Sequence, residues 1–199
     1  MGRVSDMSLP AVQSVADLTP ADLTPADLTP VDLTLPEIRT LLGPRIADNV
    51  PFDGWTVESL DAAADAAGVD RAVARLAFGD SPMAMIGAWI DAIDGAMEQA
   101  LPTEMLAGLS IRERIRRLVQ FRLDAVAGRE EAVRRALAVF AMPGHVAAAL
   151  RRGWHSADVM WRLAGDRSAD YNYYTKRTTL AAVYTATLAA FIDDTSEGK

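Results

Sequence analysis

His145 and His155 are the only imidazoles in these 199 residues, they stand ten apart, and cysteine is absent. That inventory excludes disulfides, thiolate zinc sites and thiol nucleophiles. A di-iron or zinc centre on helices needs carboxylates and imidazoles three or four residues apart, and no Glu-x-x-His pair stands near either histidine. Gly-rich phosphate loops and Gly-x-Ser-x-Gly elbows are missing too. The expectation is a protein with no catalytic residues, no metal and no cofactor. His145, after Pro143-Gly144, belongs at a helix start, and His155 beside Trp154 reads as packing.

Recognition chemistry is concentrated in residues 158 to 194, where Trp161, a Gly165-Asp166 corner, Tyr171, Tyr173, Tyr174 and the pair Lys176-Arg177 precede a long apolar run. Methionine and tyrosine beside arginine is the composition of an interface centre. The three tyrosines cannot share one helix face, so at least one faces solvent or a partner. Asp166 and Asp170 read as corner and cap residues. Lys176 and Arg177 fit a solvated face; with Arg151, Arg152 and Arg167 they could meet anionic headgroups.

These residues must be positioned by helices. From Pro36 onward apolar positions recur at helical spacing and strand-like alternation is nowhere sustained. The pattern predicts an all-α chain with helices at 36–49, 57–67, 70–78, 82–100, 110–127, 130–142, 145–164 and 171–193. Thr56, Asp70, Ser81 before Pro82, and Ser110 are the expected caps, with Gly68 ending the second helix. Ile86, Trp89, Ile90, Ile93 and Met97 form one buried stripe. Ile111, Ile115, Leu118, Val119 and Val126 form another, and Val146, Leu150, Trp154, Trp161 and Ala164 a third. The last helix, with Leu180, Val183, Tyr184, Thr187, Leu188, Phe191 and Ile192, is apolar enough to be expected at the centre.

Residues 15 to 36 repeat Asp-Leu-Thr-Pro from Asp17, Asp22 and Asp27, with a degenerate copy at Asp32. Proline every fifth residue forbids a helix, so 1–34 is expected to be a disordered tail and 195–199 a flexible end. Between them, 35–101 is read as a degenerate helix-turn-helix region and 102–194 as a C-terminal helical bundle. No run of about 20 apolar residues could span a bilayer. The net charge of −7 hides an asymmetry: five basic against seventeen acidic residues over 1–109, fourteen against seven over 110–177. The absence of cysteine and the acid-rich, Arg-poor start point to a bacterial cytoplasm, with room for peripheral contact at the inner membrane.

Residues 57 to 80 read as helix, turn at Gly68, helix, the layout of a helix-turn-helix. Over 55–100, however, Arg71 and Arg75 face eight acids. Groove binding depends on several basic residues on the reading face, so the arrangement is expected to be degenerate and to bind no nucleic acid.

At Trp161, Ala164-Gly165-Asp166, Ser168, Asp170-Tyr171-Asn172, Tyr174-Thr175, Arg177, Leu180-Ala181 and Tyr184 the chain resembles the ubiquinone (coenzyme Q) biosynthesis accessory proteins, lipid-binding members of the TetR structural superfamily. A weaker likeness runs from Gly54-Trp55-Thr56 to Met142-Pro143, so the resemblance covers about 50–194. It implies a TetR-like helical bundle, usually a homodimer, that binds an isoprenoid quinone or a phospholipid between its C-terminal helices, and so assigns lipid binding and dimerisation to 102–194. It also implies a non-enzymatic role: lifting the lipid from the membrane and presenting it to a di-iron demethoxyubiquinone hydroxylase. By position, the partner-facing patch would comprise Asp158, Met160, Trp161, Arg162, Tyr173, Tyr174 and Arg177, with Met160 and Tyr174 as hot-spot candidates. Tyr173 stands where tryptophan is common in animal members and Arg162 where histidine is, so partner choice is expected to differ. Relatives continue past the Asp193-Asp194 corner into an amphipathic helix thought to touch the bilayer, whereas the sequence here ends at Lys199.

Helices rich in alanine with scattered Leu, Met and Phe, as at 137–150 and 180–191, can leave a long apolar cavity for a prenyl tail. Leu137, Phe140, Met142, Leu150, Trp154, Leu180, Tyr184, Leu188 and Phe191 are the expected lipid-contacting residues. Trp154, Trp161, Leu180, Leu188 and Phe191 could instead fill a solid core. Two further functions stay open: a TetR-type transcriptional regulator sensing a hydrophobic ligand, and a solid scaffold that only docks the hydroxylase.

Overall fold

The structure, a computed structural model, describes residues 32–194; the expected repeat tail up to Val31 and the expected flexible end at 195–199 lie outside the described residues. The chain divides into two compact units, Met1–Leu33 and Thr34–Lys199, and every described helix belongs to the second. The described residues form helices with no strand: α1 Leu35–Asp53, α2 Val57–Ala67, α3 Arg71–Phe78, α4 Pro82–Ala100, α5 Thr103–Leu106, α6 Ile111–Val126, α7 Glu130–Phe140, α8 Val146–Leu163 and α9 Tyr171–Asp193. None is long and apolar enough to cross a membrane.

Caps set most of these boundaries. Asp70 accepts from the amides of Ala72 and Val73, Ser81 from Ala84, Ser110 from Glu113 and Asp170 from Asn172. Gly68 ends α2 in the left-handed conformation. Thr56 precedes α2 without a side-chain capping bond. α1 runs four residues past its expected end, through both Pro44 and Pro51. Each proline removes only one helical donor, and the helix end is capped from outside: Arg135 of α7 donates to the carbonyls of Val50 (2.9 Å) and Pro51 (3.2 Å). A guanidinium at a helix C-terminus also complements its dipole. The single turn α5 is too short to carry a period and has no counterpart among the expected helices; it delivers Leu106 to the core.

Ile38, Leu42, Ile46 and Val50 repeat every fourth residue along α1 and are fully buried against α4, α2 and α3. The α1–α4 approach is close because Gly43 meets the Ala88–Trp89 backbone, where an added Cβ would stand 2.8 Å away. A second core cluster joins Met97, Leu106, Leu118, Ala157, Val159, Met160, Ala164 and Leu180. α9 is not central as expected. Only Arg177, Leu180 and Ile192 are buried among its residues, and Val183 is 55% exposed. Its alanines and threonines are short enough to leave one side against α8 and the other open. Ile111, Val146 and Leu150 also stand exposed at the ends of their stripes.

Candidate functional site

A cavity of about 860 Å³ lies between α4, α6, α7, α8 and α9, a size suited to a small-molecule ligand. α4 contributes Ile86, Trp89, Ile90 and Ile93; α7 contributes Val133, Ala136, Leu137 and Phe140. α8 supplies Val146, Ala149, Leu150, Gly153 and Trp154, and α9 supplies Ala181, Ala182, Tyr184, Ala186, Leu188 and Ala189. The space has a simple cause: α8 and α9 face one another through alanine and glycine, which are too short to fill the gap their backbones leave. Of the expected lipid contacts, Leu137, Phe140, Leu150, Trp154, Tyr184 and Leu188 meet at this cavity. Met142, Leu180 and Phe191 do not line it: Met142 is 51% exposed at the α7–α8 corner, Leu180 packs in the core cluster and Phe191 is half-buried on the final turns of α9.

A few polar side chains interrupt this wall, and a buried ion pair stands among them. Arg122 of α6, 3% exposed, pairs through Nη1 with Asp94 of α4, and Ser156 of α8 donates to the same carboxylate at 2.9 Å. Tyr184 lies beneath the guanidinium, its ring centre 4.9 Å away. Neither this cluster nor the α4 wall was anticipated from the sequence. The available signal was Asp94 itself, a carboxylate one position from Ile93 on the most apolar stripe of the chain. Next to it, Asp91, Asp94 and His155 place three potential ligand atoms within 4.8 Å. Both carboxylates already face guanidinium groups, Arg152 on Asp91 at 2.5 Å and Arg122 on Asp94, which opposes a cation there. His155 is exposed, not packed as expected, while His145 sits at the start of α8 with Nδ1 3.0 Å from the Val139 carbonyl.

The aromatic and charged residues between α8 and α9 form a second feature. Gly165 turns the chain at φ 84°, a conformation that favours glycine, and an added Cβ would meet Arg114 at 3.0 Å. Asp166 follows and accepts from Lys176 (2.8 Å), Ser168 (2.8 Å) and Arg177 (3.1 Å). Burial pushes the Asp166 carboxyl upward, but those three donors and the Lys176 charge outweigh it and hold it down at about 2. Arg177 also bonds Asp158 at 2.5 Å and lies 3.5 Å over the Tyr173 ring. Burial disfavours its charge, yet the two carboxylates raise its affinity for the proton. Trp161 ties the latch from the other side, donating from Nε1 to the Lys176 carbonyl at 3.0 Å.

This geometry redraws the expected partner patch. Met160 is fully buried in the core cluster and Arg177 is 2% exposed, so neither is on the surface. The patch follows from the family resemblance by position, which does not tell the inward side of a helix from the outward one. Arg162 and Tyr174 are exposed, while Asp158, Trp161 and Tyr173 are half-buried. Tyr174 packs on Trp154 at 5.9 Å and on Tyr173 at 5.1 Å. Trp154 therefore touches both the cavity and the surface aromatics. In the segment expected to be a degenerate helix-turn-helix, α3 offers Arg71 and Arg75, and each is bound to a carboxylate of α2, Asp65 and Asp61 respectively, at 2.5 Å.

The COQ9 family model matches residues 146–199, the stretch that holds most of the α8 wall, the latch and all of α9. The human ubiquinone biosynthesis protein COQ9, mitochondrial, is 32% identical over 155 residues, covering 74% of this chain and 48% of its own length. The rat protein of the same name is 31% identical over 155 residues, covering 74% and 49%. This chain belongs to the COQ9 family. The Drosophila melanogaster COQ9 is 26% identical over 168 residues, 81% of this chain and 50% of the relative. The chain thus spans about half the length of the curated relatives it matches. All of these COQ9 proteins are named as mitochondrial and come from eukaryotes, which overturns the expected bacterial cytoplasm. Neither a lack of cysteine nor a run of acids is specific to one compartment, and composition misled for that reason.

Proposed function

We propose that this COQ9-family protein takes part in ubiquinone biosynthesis as a non-enzymatic carrier, holding an isoprenoid quinone intermediate in the cavity between α4 and α6–α9 and presenting it to a di-iron hydroxylase. The observation that carries the reading is the apolar cavity of about 860 Å³, walled in part by the stretch that the COQ9 family model matches. Each buried methylene contributes about 0.8 kcal/mol, so a partly enclosed prenyl chain binds without any charged anchor. The Asp94 carboxylate behind the wall is held by Arg122 and Ser156, which supports binding over catalysis.

The hydroxylase would dock on Tyr174, Arg162 and the half-buried Tyr173, Trp161 and Asp158. Trp154 links that face to the cavity, a route by which an occupied pocket is sensed at the surface. The open side of α9, with Val183 exposed, supports the expected homodimer, and exposed Met142, Val146 and Leu150 next to Arg151 support peripheral contact with a bilayer. The paired Arg71 and Arg75 favour no nucleic-acid role.

Mass spectrometry of an organic extract from purified protein tests the carrier reading. An isoprenoid quinone or its precursor at a substantial fraction of one per chain supports it. An extract free of isoprenoid, from protein that also fails to take up added quinone, leaves only a scaffold.

A further inference from the structure

A guanidinium has five N–H donors, and burying it without acceptors is costly. Arg122 makes a single hydrogen bond, Nη1 to Asp94, and its Nε is a buried donor with no partner among the described residues. Yet this side chain is 3% exposed and lines the cavity. The Asp94 pair uses one of its donors and leaves Nε without an acceptor among the described residues, in a wall that is mostly aliphatic and aromatic. Its placement makes sense if an acceptor arrives from the cavity.

The charge balance says what kind of acceptor. Asp94 already offsets Arg122, and the second cavity-lining guanidinium, Arg152, is offset by Asp91. A phosphate headgroup would leave uncompensated negative charge inside an apolar wall, which is expensive. A neutral carbonyl or ether oxygen would not. Trp89, Trp154 and Tyr184 around the same space offer faces for an aromatic or quinonoid ring.

We propose that Arg122 is the ring-recognition residue of the cavity: its free guanidinium donors bind a neutral oxygen on the ligand's ring. The ligand enters ring first and its tail runs toward the rim at exposed Leu150. This rests on the carrier reading and adds to it a reason for preferring quinones over phospholipids.

Three probes test it by calorimetry: a dimethoxy-benzoquinone with a decyl tail, decylbenzene, and a short-chain phosphatidic acid. The native protein should bind the quinone at least about tenfold more tightly than decylbenzene, the scale of a charge-assisted hydrogen bond. Arg122→Lys keeps a cation for Asp94 but removes the unpartnered Nε–H and the planar fork that aims it, so it should erase that difference and leave decylbenzene binding unchanged. Survival of the preference in folded Arg122→Lys, equal weakening of both probes, or dependence of phosphatidic acid in place of quinone on Arg122 would each overturn the assignment. Where Arg122→Lys does not fold, the guanidinium Nε–H resonance of Arg122 in the native protein decides: it should move on adding quinone and not on adding decylbenzene, and an unmoved signal overturns the proposal. Native protein that binds neither decyl probe refutes the carrier reading itself, a distinct failure.

Discussion

Asp166 is the residue on which the α8–α9 corner depends. Its carboxyl sits at about 2 in the folded chain against an ordinary 3.8, so its stabilising contribution is complete above about pH 4 and is lost as pH falls from there through 2. Asp166→Asn should therefore cost about 3 kcal/mol at neutral pH, because Arg177 keeps only Asp158. It should also flatten the dependence of stability on pH between 4 and 2, which urea titrations of both proteins would reveal. An unchanged pH profile would mean the latch contributes nothing to folding. Met160 and Tyr174 separate core from surface in the same way. Met160→Asp buries an unpaired carboxylate and should cost about 3 kcal/mol or more, whereas Tyr174→Ala should stay within about 0.5 kcal/mol by thermal melting. Tyr174→Ala should instead weaken hydroxylase capture by about 2 kcal/mol. From sequence, Asp166 was legible as a corner residue. Of its three donors Ser168 is local, but Lys176 and Arg177, ten and eleven positions on, become neighbours only once α9 folds back on α8.

At the scale of elements, helix positions were readable because caps and period agree: Asp70, Ser81, Ser110 and Asp170 each mark a start that the backbone uses. The errors have definable causes. α1 outlasts Pro51 where Arg135, eighty-five residues away from Val50, caps its last carbonyls, and no local rule anticipates a distant donor. α9 was expected at the centre since its composition is apolar, but alanine and threonine bury little area per residue and one side of the helix is left open. The tightest helix contact is likewise invisible locally. Gly43→Ala would press a methyl against the Ala88–Trp89 backbone, which cannot rotate away, and should destabilise by about 1–3 kcal/mol in urea melts. Wild-type stability in that variant would mean that α1 and α4 stand further apart than described.

For the whole unit from Thr34, the fold places the ion-paired helices α2 and α3 and an apolar hollow in one body, joined through α4, which packs on α1 and also walls the cavity. The existence of a hollow was legible in the alanine-rich composition of α8 and α9. Its α4 wall and the Arg122–Asp94 pair were not, because they require three helices distant in sequence to converge. Gly153 offers the most direct test of what this hollow does. It lines the cavity from the middle of α8, and an added Cβ there meets nothing within 4 Å among the described residues. Replacing a helical glycine also favours the helix by up to about 1 kcal/mol, so a larger side chain should fill the space without unfolding the protein. The deciding measurement is calorimetric titration of native protein and folded Gly153→Trp with a decyl-tailed benzoquinone. A carrier should show about one site per chain in the native protein and at least a tenfold loss of affinity in Gly153→Trp; no binding to the native protein, or equal binding to both, would refute a ligand-holding hollow.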